Sequence, residues 1–496
     1  MDIDAYRHDA EQFIQSLELE WFRHFAGHKD TLEIEAIYNA HAKLFTREAI
    51  EELKRHLAQA TPGSDEQRAR RMLLDFAVEH YIGQLTKTDE EELAGLEAKL
   101  TVAIDGVETP LRQAWGQLAK EPDADRRAEI HDQLMAVTAS DLNPVARRIN
   151  EARHQAAHDL GYESYAAMCT ELKGYDLKRT HAQTQAFVKA TDELYPGLIG
   201  EQLERVTGVR FEDMRKSDFP RFRRAPGLDH QFPAGPLLDT LYATAAGMGI
   251  DIRAQDNVTL DVEERPNKSP RAFCSPVRSP NEVYLVISPT GGRDDYEALF
   301  HEAGHTEHFA HMEPNLPFEF RHLGDNAITE SFAFLFEHLI ENPRWLAKHL
   351  NATEPEALAD YARANRLMFL RRYSNKLAYE LELHSADARS DEVLAARYAE
   401  LAESAVGCPW TPESYLTDVD PGFYCMAYLR AWALEAHMRK LLIERFGEAW
   451  FEDPGAAELL REWWAEGQRL SAEEMLEELT GETLDFNILL EDLSLL

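Results

Sequence analysis

The stretch Phe300-His301-Glu302-Ala303-Gly304-His305, with Glu330 25 positions after His305, decides how this chain is read. Asp294 or Asp295, just after Gly291-Gly292, is a good helix N-cap, and no breaker intervenes before Pro314. The spacing therefore predicts a helix running to about His311. Residues four apart share a helix face, so His301 and His305 can hold one metal ion between their imidazoles. Zn²⁺ suits two histidines and a carboxylate, with a fourth position left to water. Glu302, beside the first of these histidines, is placed on the helix flank to take a proton from such a water. Ala303 and Gly304 are small enough to let another element pack close.

The third ligand must come from a separate element. Asp325 or Asn326 can cap a second helix, Ala327–Ile340, with Glu330 in its first turn. Two antiparallel helices would bring Glu330 over the histidine pair. Glu337, two turns further along the same face, can fix the other ring N–H of a ligand histidine, and His308 can do similar work. The plain alternatives are a satisfied acid at Glu337 and ordinary helix histidines at His308 and His311. His-Glu-x-x-His arises by chance in roughly one in ten chains of this composition. The weight therefore rests on the helical context, the small middle residues and the available carboxylate.

A chain of 496 residues with 44% hydrophobic content is long enough for a large helical body, and its formal charge of −37 argues against nucleic acid and anionic membrane as partners. No run approaches a membrane span, and the acidic start Met1-Asp2-Ile3-Asp4 carries no apolar leader. Cys169, Cys274, Cys408 and Cys425 form no CxxC pair and read as reduced thiols, so a cytoplasmic location is expected.

Residues 1–205 read as successive helices, including Arg47–Gln59, Asp65–Leu85, Glu90–Val107, Asp125–Ser140 and Val145–Leu160. From there to Ile287 the pattern turns β-like at Val206–Phe211, Val258–Glu263, Arg271–Ser275 and Val283–Ser288, around a helix at Pro236–Met248. A small antiparallel sheet is thus expected beside the metal helix. Its edge, Ala272-Phe273-Cys274, could pair with an extended peptide. The division expected is an N-terminal helical lobe, 1–205, and a catalytic lobe, 206–496. A basic cluster at Arg215, Lys216, Arg221, Arg223 and Arg224 reads as a salt-bridged loop in an acidic protein.

A second patch runs from Asp418 to Arg430. Pro421 opens a helix on which Tyr424 and Tyr428 share a face, and a tyrosine hydroxyl there could donate to a tetrahedral oxyanion. Arg430 could pair with a substrate carboxylate. The structural alternatives are core aromatics and an arginine bridging to a nearby acid.

Arg271-Ala272-Phe273-Cys274, the strand Val283–Ser288, His301–His305 and Glu330 together resemble the M3 family of zinc metallopeptidases, in particular its oligoendopeptidase F and thimet-oligopeptidase group. Asn150–Met168 and the tail Gly447–Asp485 are also similar, while residues before 140 match only in being helical. The resemblance implies a mainly α, two-lobed helical ellipsoid split by a deep channel, and cleavage of oligopeptides. It implies one Zn²⁺ per chain on His301, His305 and Glu330, with Glu302 as general base and Tyr428 and Tyr424 as donors to the substrate carbonyl. In one respect the chain departs from the pattern: the family carries a His shortly before those tyrosines, and here Gly422 stands near its place. Two other readings stay open, a carboxypeptidase or dipeptidyl carboxypeptidase of the same fold and a helical protein that binds metal and peptide without cutting.

Overall fold

A computed structural model describes residues 1–269, 271–387 and 389–494. The fold is mainly α, with two small sheets among the described residues. None of the described helices is long and apolar enough to cross a membrane. The chain's contacts divide it into two compact units: Met1–His80, Leu228–Ala359 and Arg430–Leu489 form one, and Tyr81–Gly227, Asp360–Leu429 and Leu490–Leu496 the other. Helices bury their apolar stripes against whichever partner faces them, and here sequence-distant segments supply those faces.

Two helices anchor the N-terminal part, α1 (Ile3–Phe25) and α2 (Asp65–Lys99). The latter merges two expected helices into one and stops at Lys99. The residues expected to prolong it form a hairpin instead, β1 (Thr101–Ile104) against β2 (Val107–Pro110), with Ile104 opposite Val107. Asp105 and Gly106 both take positive φ, the two-residue turn that Asp-Gly favours. Val102 and Ile104 sink into a core with Leu111, Leu118, Ile130 and Leu134 of the second unit. Val206–Phe211, read as a strand, is the end of a helix: Gly208 closes Tyr195–Thr207 in the left-handed conformation.

In the first unit β3 (Val258–Asp261), β4 (Phe273–Arg278) and β5 (Glu282–Val286) form a sheet in the order β3-β5-β4. The sheet is mixed, not antiparallel as expected: β4 runs antiparallel to β5, and β3 runs parallel to it. The chain reverses twice between β3 and β5, so these two point the same way. The intervening loop folds back through Lys268, whose buried ammonium donates to the Asp261 carbonyl (2.8 Å) and carboxylate (2.9 Å) and to the carbonyls of Glu263 and Ile287. Arg265 adds two bonds to the same carboxylate.

Alternation along β4 gives its two faces different neighbours. Phe273 and Val277 join Val286 and Tyr284 against Phe22 and Ala26 of α1, with the Phe22 and Tyr284 rings stacked at 3.8 Å. The Cys274 thiol points the other way, to Thr306 of α3 (Arg293–Ala310). The opposite side of α3 packs on α4 (Asn326–Glu337). Gly304 lies at that crossing, where an added Cβ would fall 2.4 Å from the Phe332 carbonyl oxygen and 2.6 Å from Ala333 Cα. Gly304→Ala is therefore expected to destabilise the protein by about 1–3 kcal/mol through overpacking, read as a lowered melting temperature.

The ion cluster on β3 makes a pH-dependent prediction. Burial opposes the charge on Asp261, but Arg265, Lys268 and His28 outweigh it and hold the carboxyl at about 2. A depressed acid stabilises the fold above its unfolded value and loses that contribution as pH falls through the folded one. The stability gap between wild type and Asp261→Asn should be widest above about pH 4 and shrink toward pH 2, measured by denaturant titration.

Candidate metal centre

The helix that carries His301 starts earlier than the sequence suggested. Gly292, at φ +95°, is its N-cap and makes no side-chain bond. Neither Asp294 nor Asp295 caps it; Asp295 turns back and accepts from the N–H groups of Thr290 (2.5 Å) and Gly291 (2.7 Å). The two glycines, both at positive φ, let the chain enter the helix at Arg293. On α4 the expected cap is Asp325, whose Oδ1 accepts from the Ala327 N–H at 3.0 Å. Its other oxygen accepts from the Ala472 N–H at 3.1 Å.

The two helices run antiparallel, as the pairing of His305 with Thr329, Gly304 with Phe332 and His301 with Glu337 requires. That alignment sets Glu330 over the histidine pair. Its Oε2 lies 3.4 Å from His301 Nε2 and 3.7 Å from His305 Nε2, and the imidazoles stand nearly perpendicular, 4.9 Å apart. One donor atom from each residue lies within 4.8 Å of the others. Ligand bonds of about 2.0–2.2 Å in a tetrahedral arrangement separate donor atoms by about 3.3–3.6 Å. The observed spacings fit that size.

The far side of each ring is also committed. His301 Nδ1 meets Glu337 Oε2 at 2.7 Å, and His305 Nδ1 meets Thr329 Oγ1 at 2.8 Å. Nδ1–H donating to these oxygens leaves each Nε2 on the Glu330 side, where a neutral ring would have its lone pair available to a metal ion. The sequence pointed to Glu337 by its two-turn spacing; Thr329 went unread, its one signal being a hydroxyl next to the carboxylate donor. The His301 ring also packs edge-on against Phe334, which stacks on Trp432.

Burial dominates the electrostatics. It opposes the charge on His301, yet Glu330 and Glu337 raise that imidazole well above its usual range. His305 is pushed down to about 4 by burial. Glu302 is pushed up to about 7 and Glu337 to about 6, again chiefly by burial. Three carboxylates share this poorly solvated space with two imidazoles, and a divalent cation is the charge that would balance them.

Glu302 accepts from the Cys274 backbone N–H through Oε2 at 2.9 Å. That bond ties it to β4, the marginal strand on which Ala272-Phe273-Cys274 was placed. Ala272 precedes this strand and Phe273 begins it, both half-buried. Pro276 has no N–H to offer, and that of Cys274 is taken.

The other sequence candidates go elsewhere. His308 is buried between Phe309 and Phe332. Arg430 is buried in the first unit, where its guanidinium bonds Asp325 (3.0 and 2.6 Å) and Glu473 (2.8 Å). Tyr424 and Tyr428 belong to the second unit, with rings 5.1 Å apart on one face of a helix that begins at Tyr424. The loop before them is held by Asp418, which bonds Arg372 and Tyr398, and by Asp420, which bonds Lys376. Gly422 sits at φ +63° with its N–H on the Tyr165 hydroxyl, a left-handed position that disfavours the histidine expected near it. Glu380, Asp420 and Cys425 also cluster. Lys376 supplies the cation there, at 2.8 Å from Asp420, and burial pushes Glu380 up to about 8.

No protein-family model matches the chain, and no curated protein matches it either. Solved structures do. A protein from Bacillus anthracis strain Ames assigned as an oligoendopeptidase F superposes with a TM-score of 0.60 and 14% identity, over 96% of this chain and 83% of that one. The class defined here is thus one of fold, mainly helical and shared with that protein.

Because Glu337 holds the His301 ring, Glu337→Gln should weaken zinc binding by about 10–100-fold while the melting temperature of the metal-free protein stays close to wild type. Competition against a chromophoric chelator measures this.

Proposed function

We propose that this chain is a zinc-dependent peptidase that hydrolyses oligopeptides. The convergence of His301, His305 and Glu330, with Glu302 on the same helix, carries the reading. The shared fold with a protein assigned as an oligoendopeptidase F supports it. Zn²⁺ at this site would polarise the scissile carbonyl and lower the pKa of a bound water toward ~7. Glu302 accepts the proton of the attacking water on the oxygen that Cys274 does not hold, then passes it to the leaving amine.

Glu337 and Thr329 keep the two imidazoles oriented. Ala272 and Phe273 bound the peptide along β4, which offers carbonyls more readily than N–H groups. Tyr428 and Tyr424 stay our candidates for a hydroxyl donor to the oxyanion, a role worth about 2.7–4 kcal/mol for a well-placed donor. Arg430 is assigned here to the α4 cap, since Asp325 and Glu473 engage its guanidinium. That leaves the carboxypeptidase alternative without its candidate carboxylate anchor and favours internal cleavage.

Glu302→Gln retains an acceptor for the Cys274 N–H and should keep one zinc per chain while losing about 10²–10⁴-fold in kcat on a fluorogenic oligopeptide. Wild-type turnover in that variant, or wild-type activity that survives a strong chelator, overturns the assignment.

A further inference from the structure

Glu18 lies on α1, against the residue that follows Cys274 in β4. Its Oε2 accepts from the Ser275 hydroxyl at 3.1 Å, and the same hydroxyl reaches the Glu18 carbonyl at 3.3 Å. Consecutive residues of one strand thus each hold a glutamate: Cys274 holds Glu302 through its N–H, and Ser275 holds Glu18 through its side chain. The two attachment points are one residue apart, and side chains alternate along the strand, so Ser275 carries Glu18 on the α1 face while the Cys274 backbone N–H holds Glu302. Both add to the negative field at the Cys274 thiol.

No basic side chain pairs with Glu18 among the described residues, although it is only partly exposed. Its neighbour Glu20 shows the contrast, since it receives Lys29 at 2.6 Å and the Glu33 N–H. Phe22 and Phe25 follow Glu18 at four and seven residues on the same helical face; Phe22 is buried against Tyr284, while Phe25, 44% exposed, lies edge-on to Phe273. A carboxylate on the same helical face as the exposed Phe25 ring suits an ammonium or guanidinium, which pairs with the acid. Burial also pushes Glu18 up to about 7, as befits an acid that lacks its counter-charge.

We propose that Glu18 is a specificity-determining residue that receives a cationic group of the peptide, within one or two residues of the cleaved bond. This rests on the peptidase reading. Two sources of that cation are available, a lysine or arginine side chain and a free amino terminus.

The test uses matched quenched peptides in which lysine is exchanged for norleucine at each position around the cleavage point, and peptides with free or acetylated amino termini. Wild type should favour the cationic member of one pair by about 10-fold or more in kcat/KM, carried mainly by KM. In Glu18→Gln that ratio should fall to within about 2-fold of unity, while Glu18→Asp retains most of it. The position of the responsive pair tells side chain from terminus. A wild-type ratio near one across every pair overturns the proposal, as does an unchanged ratio in Glu18→Gln. Fluorescence anisotropy with the same peptides on Glu302→Gln, with and without Glu18→Gln, reads the same preference without turnover. Absence of cleavage by zinc-loaded wild type would thus refute the peptidase reading, and the anisotropy ratios would still decide the role of Glu18.

Discussion

The close approach of two helices at Gly304 governs the rest of the site. With no side chain there, α3 comes near enough to the Phe332 carbonyl for three pairings to form along one seam. His305 reaches Thr329, both histidines reach Glu330, and His301 reaches Glu337. A wider crossing would leave each imidazole short of its partner, since these contacts lie between 2.7 and 3.7 Å. The small middle residues of His301-Glu302-Ala303-Gly304-His305 are therefore what lets the candidate metal centre form, even though they carry no ligand atom.

Around that seam, charge is arranged by what each group is denied. Glu302, Glu330 and Glu337 are poorly solvated, and among the described residues no lysine or arginine pairs with Glu302. Arg430 is engaged by Asp325 and Glu473, where it stiffens the start of α4. A cluster of carboxylates and imidazoles short of positive charge is one that a divalent ion would balance.

Much of this was legible in the residues. The four-residue spacing of the histidines, Asp325 as a cap and Glu337 at two turns are local features of helices, and helical periodicity is a short-range property. The hairpin at Asp105-Gly106 was legible too, but the long helical run before it outweighed a two-residue signal. Thr329 could not be singled out, because a threonine beside a glutamate has meaning only once an imidazole stands opposite. The mixed sheet was hidden for a related reason: β3 and β5 each read as strands, while their parallel pairing depends on how an eleven-residue loop folds back onto Lys268.

By itself, then, the sequence determined which residues could serve as donors, which faces of which helices they occupy and where those helices begin to within a residue or two. Tertiary structure decided the partners. It brought a strand's N–H to Glu302, assigned Arg430 to a cap and set a carboxylate from the first helix beside β4. These are contacts between segments up to 257 residues apart, and no local propensity encodes them, because their energy exists only after the chain has closed and water has been excluded.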